Sequence, residues 1–247
     1  MQTCNNCGHE FIGKYCSDCG QKAGVNRLSM QGLSHELIHS FTHVEKGILR
    51  LIKEFFISPG KVYAGYFGGK RKTYFSPVMF FLLSMGLLIF LGDKLSDREM
   101  YVTNNDQVLV QKILYHYQKI RYLIFIPVIG CITWLFFYKR FNLAECLAFW
   151  FFCIGFVSVI EIISFLPQFI FVHHRHFIRV IVDWLAMFII FIHMLLVFFN
   201  KTWFSAVKCF FLTAVSYFIL VYILNYIAYL NGLGYTFDFL KIVKQIF

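Results

Sequence analysis

Charged residues are scarce in this chain. They make up 15% of its 247 residues, whereas hydrophobic residues make up 59%. Soluble globular domains carry about 25% charged residues. A soluble fold of this length cannot cover so much apolar surface, so we expect lipid to be the solvent for part of the chain. The composition therefore argues against an ordinary soluble protein and predicts a membrane protein.

Acidic residues are the rarer of the charged kinds, with 13 Asp and Glu against 23 Lys and Arg. In a membrane protein this excess points first to the positive-inside rule and anionic lipid headgroups, and only second to nucleic acid. The start of the chain also lacks the basic and apolar regions of a signal peptide. We therefore expect the N-terminal segment to lie in the cytosol, where thiols stay reduced and can hold metal.

Apolar stretches near the length of a membrane span, roughly 20 residues, occur five times. They lie at 74–92, 122–138, 146–172, 179–199 and 206–230. The predicted fold class is all-α membrane, with about five transmembrane helices after a small zinc ribbon and an amphipathic interfacial helix. Most Lys and Arg residues then fall inside, which predicts a multi-pass inner-membrane protein with a cytosolic N-terminus. Four spans with a re-entrant segment are the alternative, and would place the C-terminus inside.

The chain divides into three predicted regions: a zinc ribbon at 1–24, an amphipathic helix with a basic and aromatic interfacial segment at 25–73, and a transmembrane bundle at 74–247. Residues 29–57 carry apolar side chains at three- and four-residue spacing, as in one amphipathic helix. Such a helix lies on a membrane, on a partner or against the protein's own bundle. The pattern does not distinguish among these three.

Four cysteines near the N-terminus form two C-x-x-C-G knuckles, with Cys4 and Cys7 in the first and Cys16 and Cys19 in the second. Two such pairs complete a closed tetrahedral thiolate site, which is typical of structural rather than catalytic Zn²⁺. A segment this short has almost no core, so the metal supplies its folding energy. An iron site or a redox pair is the alternative. Lys14 is the single cation between the knuckles, so we expect nucleic acid not to be the partner.

His35, Glu36 and His39 match the H-E-x-x-H pattern, in which two histidines hold zinc and the glutamate is a general base. No third ligand is evident, so we favour an exposed or interfacial histidine stripe over a membrane metalloprotease. Glu161 and His193 lie within predicted spans, where ionisable groups are costly and face the bundle interior. Counted from the turn between their spans, their depths are close enough for a Glu–His hydrogen bond, or for a proton or substrate path.

The spacing of these motifs resembles a family of uncharacterised bacterial membrane proteins. The ribbon matches C-x-x-C-G followed by G-K-Y-C-x-x-C-G-Q, here Cys4–Gly8 and Gly13–Gln21. A Pro-Gly turn and a Y-x-x-G-K-R-K-x-Y-x-x-P segment follow, here Pro59-Gly60 and Tyr66–Pro77. The likeness covers about residues 4–85. It implies the membrane architecture and the structural zinc, and it implies no activity.

Three functions follow as expectations. The first is a non-enzymatic docking or scaffold component, held against membrane lipid and using the cytosolic ribbon to meet a protein partner at that face. The second is a small transporter or channel-like bundle that uses Glu161 and His193. The third is the membrane zinc protease described above.

Overall fold

The computed structural model describes residues 1–25, 27–33, 47–99, 122, 124–171 and 174–230, and within them the protein is mostly helical. The side chains of 93–99, 175–176 and 220–230 are outside this description. The H-E-x-x-H residues, His35, Glu36 and His39, also lie outside the described residues. Their role stays a hypothesis.

The N-terminal ribbon is built on a short antiparallel pair of strands. Strand β1 (Gln2–Thr3) pairs with β2 (Glu10–Phe11), so that Gln2 lies opposite Phe11. The pairing closes the first knuckle between the two strands. Phe11 is buried with Cys4 and Cys16 in the small apolar core of the ribbon.

The described helices follow the ribbon in the order of the chain. They are α1 (Gly47–Ile57), α2 (Pro59–Phe67), α3 (Pro77–Glu99), α4 (Ile124–Phe137), α5 (Leu143–Ile170), α6 (Arg175–Phe198) and α7 (Trp203–Leu230).

Helix α5 is the centre of the bundle and packs against both α3 and α6. Its first turn is fixed by a capping box, in which Asn142 accepts from the Glu145 amide and Glu145 accepts from the Asn142 amide. Gly155 allows the close approach of α3, since a Cβ at this position would lie 2.7 Å from a ring atom of Phe80 and 3.3 Å from Cα of Phe81. The helix–helix contact therefore depends on a residue without a side chain.

Helices α1 and α2 form a short hairpin that packs into the bundle. They meet at Ser58, and α2 begins with Pro59, whose fixed φ suits a first helical turn. Leu51 and Phe55 of α1 are buried, and the Phe55 ring packs on Phe80, Phe152 and Phe156 at centroid distances of 5.2 to 6.1 Å. The predicted amphipathic helix could lie on a membrane, on a partner or on the protein's own bundle. Its described part, α1, packs on the bundle.

The predicted basic and aromatic interfacial segment contains aromatic residues that are buried in the core. Tyr63 and Tyr66 of α2 are almost inaccessible to solvent. In this segment the two tyrosine rings therefore point into the bundle, while the neighbouring lysines stay exposed at its surface.

Two helices are long and apolar enough to cross a membrane: Leu143–Ile170 and Phe177–Phe198. The apolar parts of α3, α4 and α7 in the described residues are shorter, at Pro77–Gly92, Ile124–Phe137 and Trp203–Ile219. Five full-length spans are therefore more than the described helices provide. Most residues of α5 are buried by its neighbours, whereas few residues of α6 are buried.

Candidate metal centre and its contacts with the bundle

The first knuckle is held by two backbone hydrogen bonds. The amide of Cys4 donates to the His9 carbonyl at 2.9 Å, and the amide of Gly8 donates to the Cys4 carbonyl at 2.9 Å. Gly8 has a φ of 81°, in the left-handed region that a residue with a Cβ adopts at a cost. The glycine after the second cysteine is therefore what lets the chain turn back.

The second knuckle repeats this geometry. The Cys16 amide donates to the Gln21 carbonyl at 2.8 Å, and the Gly20 amide donates to the Cys16 carbonyl at 2.9 Å. Gly20 has a φ of 70°. The two halves of the ribbon thus present their cysteines in matching turns, although the strand pairing around them differs.

The four cysteine sulfurs converge on one point. All four lie within 4.8 Å of one another, with 3.5 Å between Sγ of Cys4 and Cys19 and 3.6 Å between Sγ of Cys7 and Cys16. A tetrahedral ion with Zn–S bonds of about 2.3 Å requires sulfurs about 3.8 Å apart. The cysteines are free rather than joined in disulfides. Their spacing therefore fits a metal ion in a four-cysteine site, as in a zinc ribbon.

The electrostatics of the sulfurs agree with this. The amide of Cys7 lowers the pKa of Cys4 to about 6, so this thiol ionises readily. The amide of His9 acts in the same direction on Cys7, but desolvation and the neighbouring thiols outweigh it and raise the pKa of Cys7 to about 12. Adjacent sulfurs therefore do not all ionise at neutral pH without a cation among them, and metal binding releases protons.

The second knuckle binds the loop before α3 through Gln21, which follows the knuckle glycine directly. Its side-chain amide donates to the Gly69 carbonyl at 3.0 Å, and its side-chain oxygen accepts from the Arg71 amide at 3.0 Å. Gln21 is buried in this contact. We call residues 69–73 the basic loop, because it carries Lys70, Arg71 and Lys72.

The first knuckle binds the same loop through Asn6, which lies between its two cysteines. The side-chain oxygen of Asn6 accepts from both the amide and the hydroxyl of Thr73, at 3.0 and 2.8 Å. Each knuckle therefore contributes one side-chain amide group to the basic loop. We call the contacts of Asn6 and Gln21 with this loop the amide clamp. It couples the geometry of the cysteine site to that of residues 69–73.

Within the basic loop the three cations differ. The Arg71 guanidinium lies over the Tyr66 ring at 4.3 Å and donates to the Tyr66 carbonyl at 2.6 Å. Lys70 and Lys72 are exposed. The arginine thus secures the loop to α2, while the two lysines remain at the surface.

A second attachment joins the linker after the ribbon to the start of α5. Arg27 binds the buried Glu145 carboxylate through two nitrogens, at 2.6 and 2.7 Å, and also donates to the Arg140 carbonyl. The side-chain amide of Asn142 donates to the Leu28 carbonyl at 2.7 Å. The ribbon therefore sits at the end of the bundle where α3 and α5 begin, which we call the ribbon end.

His193 does not lie at the level of Glu161. Its Nδ1 is 2.9 Å from the Tyr63 hydroxyl, and its ring stacks on Phe55 and Phe156. Glu161 lies five residues beyond Phe156 on α5, about 7.5 Å farther along the axis. The α1–α2 hairpin occupies the space beside His193, and the sequence pattern does not predict this position. The structure therefore pairs this histidine with a tyrosine rather than with the predicted glutamate.

Comparison with protein families gives a match to part of the chain. A family described as "Protein of unknown function (DUF3667)" matches residues 45–89, which hold the α1–α2 hairpin, the basic loop and the first half of α3. The comparison with curated proteins found no match. The comparison with solved structures found none either.

Proposed function

We propose that this chain is a multi-pass inner-membrane protein of about five transmembrane helices, with its ribbon on the cytosolic face. In this proposal it is a non-enzymatic docking or scaffold component. The ribbon holds structural Zn²⁺ through Cys4, Cys7, Cys16 and Cys19. The basic loop that it supports binds a protein partner at the membrane surface.

Membrane placement is supported by exposed apolar side chains on the outer helices. Phe177, Trp184 and Phe188 of α6 are each more than half exposed, as are Phe210 and Phe218 of α7. Soluble monomers rarely expose contiguous apolar surface of this kind. In this proposal lipid covers that surface, and the shorter apolar helices α3, α4 and α7 lie in the same bundle.

The ligand set supports a structural role for the metal. Four thiolates fill a tetrahedral Zn²⁺ shell and leave no position for water or substrate. Four soft sulfur ligands also favour zinc or iron over hard cations.

The amide clamp is the observation that carries the docking proposal. If the metal served only to fold the ribbon, the two knuckles would have no reason to hydrogen-bond to a loop that is distant in the sequence. Here the two knuckles hold that loop through Asn6 and Gln21, and Lys70 and Lys72 remain exposed on it. Fixed cations suit a partner with an acidic surface, because complementary charge steers association and fixes register.

Crosslinking mass spectrometry on native membranes tests the proposal. Wild-type protein should crosslink to a partner through Lys70 or Lys72. Cys4→Ser/Cys7→Ser should lose both the zinc and these crosslinks. Asn6→Ala should keep the zinc and weaken the crosslinks, because only the clamp is cut.

Asn5→Ala is the matched control. Asn5 lies in the same knuckle, but its side chain donates to the Val25 carbonyl at 2.6 Å, away from the basic loop. This variant should keep the zinc and the crosslinks. Partner crosslinks that survive the loss of zinc in the double cysteine variant would show that the ribbon does not support docking.

A further inference from the structure

A cavity of about 540 Å³ opens at the ribbon end, between the loop after α4 and the turn before α7. Its size falls within the range of small-molecule sites, about 300–1,000 Å³. One part of its wall is apolar and aromatic, with Leu135, Phe137 and Phe204. The other part carries Lys139, Arg140 and Lys208. An amphipathic ligand with an anionic group matches both parts.

Lys208 is held in place by neutral groups. Its ammonium lies 3.4 Å from the Phe136 carbonyl, 4.8 Å from the centroid of the Phe204 ring and 5.8 Å from that of Phe137. These contacts orient the half-buried side chain, and no described carboxylate forms a salt bridge with its ammonium. A partly desolvated ammonium of this kind is stabilised by an anion.

The described carboxylates do not supply that anion. In the described residues the salt bridges join Arg27 to Glu145 and Arg50 to Glu54. The Glu145 carboxylate, at the start of α5, already accepts from Arg27 and from the amide of Asn142. Three cations therefore face the cavity without a carboxylate bound to any of them in this part of the chain.

The first turn of α7 adds to the positive field. The amides of Ser205 and Ala206 bond to Thr202, while the two amides before them have no backbone acceptor in the described residues. Thr202, Phe204 and Ser205 are part of the cavity wall. The start of this 28-residue helix carries partial positive charge, which favours a phosphate.

We propose that this cavity binds the phosphate of an anionic phospholipid headgroup. Lys139, Arg140 and Lys208 neutralise the phosphate, and the aromatic wall receives the upper part of the lipid. Trp203, which is almost fully exposed at the start of α7, lies at the same level, where tryptophan is enriched in membrane proteins. The inference rests on the proposed membrane placement.

Native mass spectrometry of the full-length protein in detergent tests the site. Phosphatidylglycerol and phosphatidylcholine are titrated in parallel, because they differ in headgroup charge and share their acyl chains. A cation near an anionic lipid contributes roughly a five-fold change in affinity. We expect phosphatidylglycerol to bind at least about ten-fold more tightly than phosphatidylcholine, since three cations line the cavity.

Lys139→Gln/Lys208→Gln should abolish this preference. The control Lys14→Gln/Lys22→Gln removes the same charge from exposed positions on the ribbon and should keep it. Should the first variant fail to fold, the single change of the exposed Lys139 to Gln should still reduce the preference, by about five-fold. Equal binding of the two lipids by wild-type protein, or equal loss in both double variants, would overturn the proposal.

A third titration uses inorganic phosphate alone. We expect it to compete weakly, because it lacks the apolar part that the aromatic wall receives. Binding as tight as that of phosphatidylglycerol would overturn the lipid assignment. Extraction of the protein from membranes by alkaline carbonate would refute the proposed membrane placement itself. Partner crosslinks at Lys70 test the docking proposal independently of the lipid site.

Discussion

Cutting the amide clamp at Gln21 should expose the basic loop to trypsin. The enzyme cleaves after Lys and Arg, and three such residues stand together in the loop. Cleavage requires the loop to leave the ribbon, because a protease needs several residues of extended chain. The rate of cleavage therefore follows the open population when opening is fast.

The magnitude follows from the bonds lost. Gln21→Ala removes a long, weak contact of 3.4 Å from the Lys72 amide. It also removes two bonds of 3.0 Å each, one to the Gly69 carbonyl and one from the Arg71 amide. Bonds of this kind contribute about 1 kcal/mol each, so opening becomes about 2 kcal/mol easier. At 1.4 kcal/mol for each factor of ten, the open population and the cleavage rate rise by about 30-fold.

The assay is limited proteolysis of the detergent-solubilised protein, with cleavage sites identified by mass spectrometry. Cleavage after Lys201, in the turn before α7, serves as an internal reference. Asn5→Ala, which breaks the bond to the Val25 carbonyl and no contact with the loop, should leave the loop protected. The reasoning would be refuted if Gln21→Ala raised cleavage at Lys70–Lys72 no more than Asn5→Ala does.

Three other predictions are open to direct test. Removing the metal with a chelator should release about one zinc ion per chain and accelerate cleavage of the basic loop in wild-type protein. A loop that stays protected after the loss of zinc would contradict the coupling between the cysteine site and this loop. Gly155→Ala should lower the free energy of unfolding by about 1–3 kcal/mol, because the new methyl group meets Phe80 and the α3 backbone. Gly86→Ala, at a helical position with no atom within 4 Å of the new Cβ, should be neutral or slightly stabilising by thermal unfolding, and equal losses in both variants would refute the packing argument. Hydrogen bonding to Arg50 lowers the pKa of Glu54 in the folded protein. The ionised carboxylate therefore stabilises the fold above the unfolded pKa, and this stabilisation is lost as the pH falls through the folded pKa. Glu54→Gln should accordingly reduce the dependence of the thermal midpoint on pH below about 4.5.

The local geometry of the ribbon was predictable because its chemistry is local. Cysteines two residues apart, each pair followed by glycine, determine both the turn and the ligand set. The structure brings Cys4, Cys7, Cys16 and Cys19 together as their spacing predicts. The start of α5 could have been found in the same way, since Asn142-x-x-Glu145 before an apolar run is the pattern of a capping box.

The position of the α1–α2 hairpin was not predictable from its amphipathic pattern. A membrane, a partner and a protein core present the same apolar surface to such a helix, so the spacing of Leu51 and Phe55 cannot distinguish among them. Because the position of the hairpin was not predicted, His193 was expected to meet Glu161, whereas it contacts Tyr63. Depth counted along two helices assumes that nothing lies between them, whereas Phe55 and Tyr63 fill the space beside His193.

The clamp residues escaped notice for a different reason. Asn6 and Gln21 look like polar surface residues, because they are neither charged nor metal ligands. The available signal was positional. Gln21 directly follows the second knuckle, and the sequence motif on which the family resemblance rests includes it together with the distant G-K-R-K segment. Gln21 and Gly69 lie 48 residues apart and are joined by a hydrogen bond, so the two halves of the motif form one unit. Because Asn6 and Gln21 join both knuckles to the basic loop, we expect a change at the cysteines to alter the positions of Lys70 and Lys72 first.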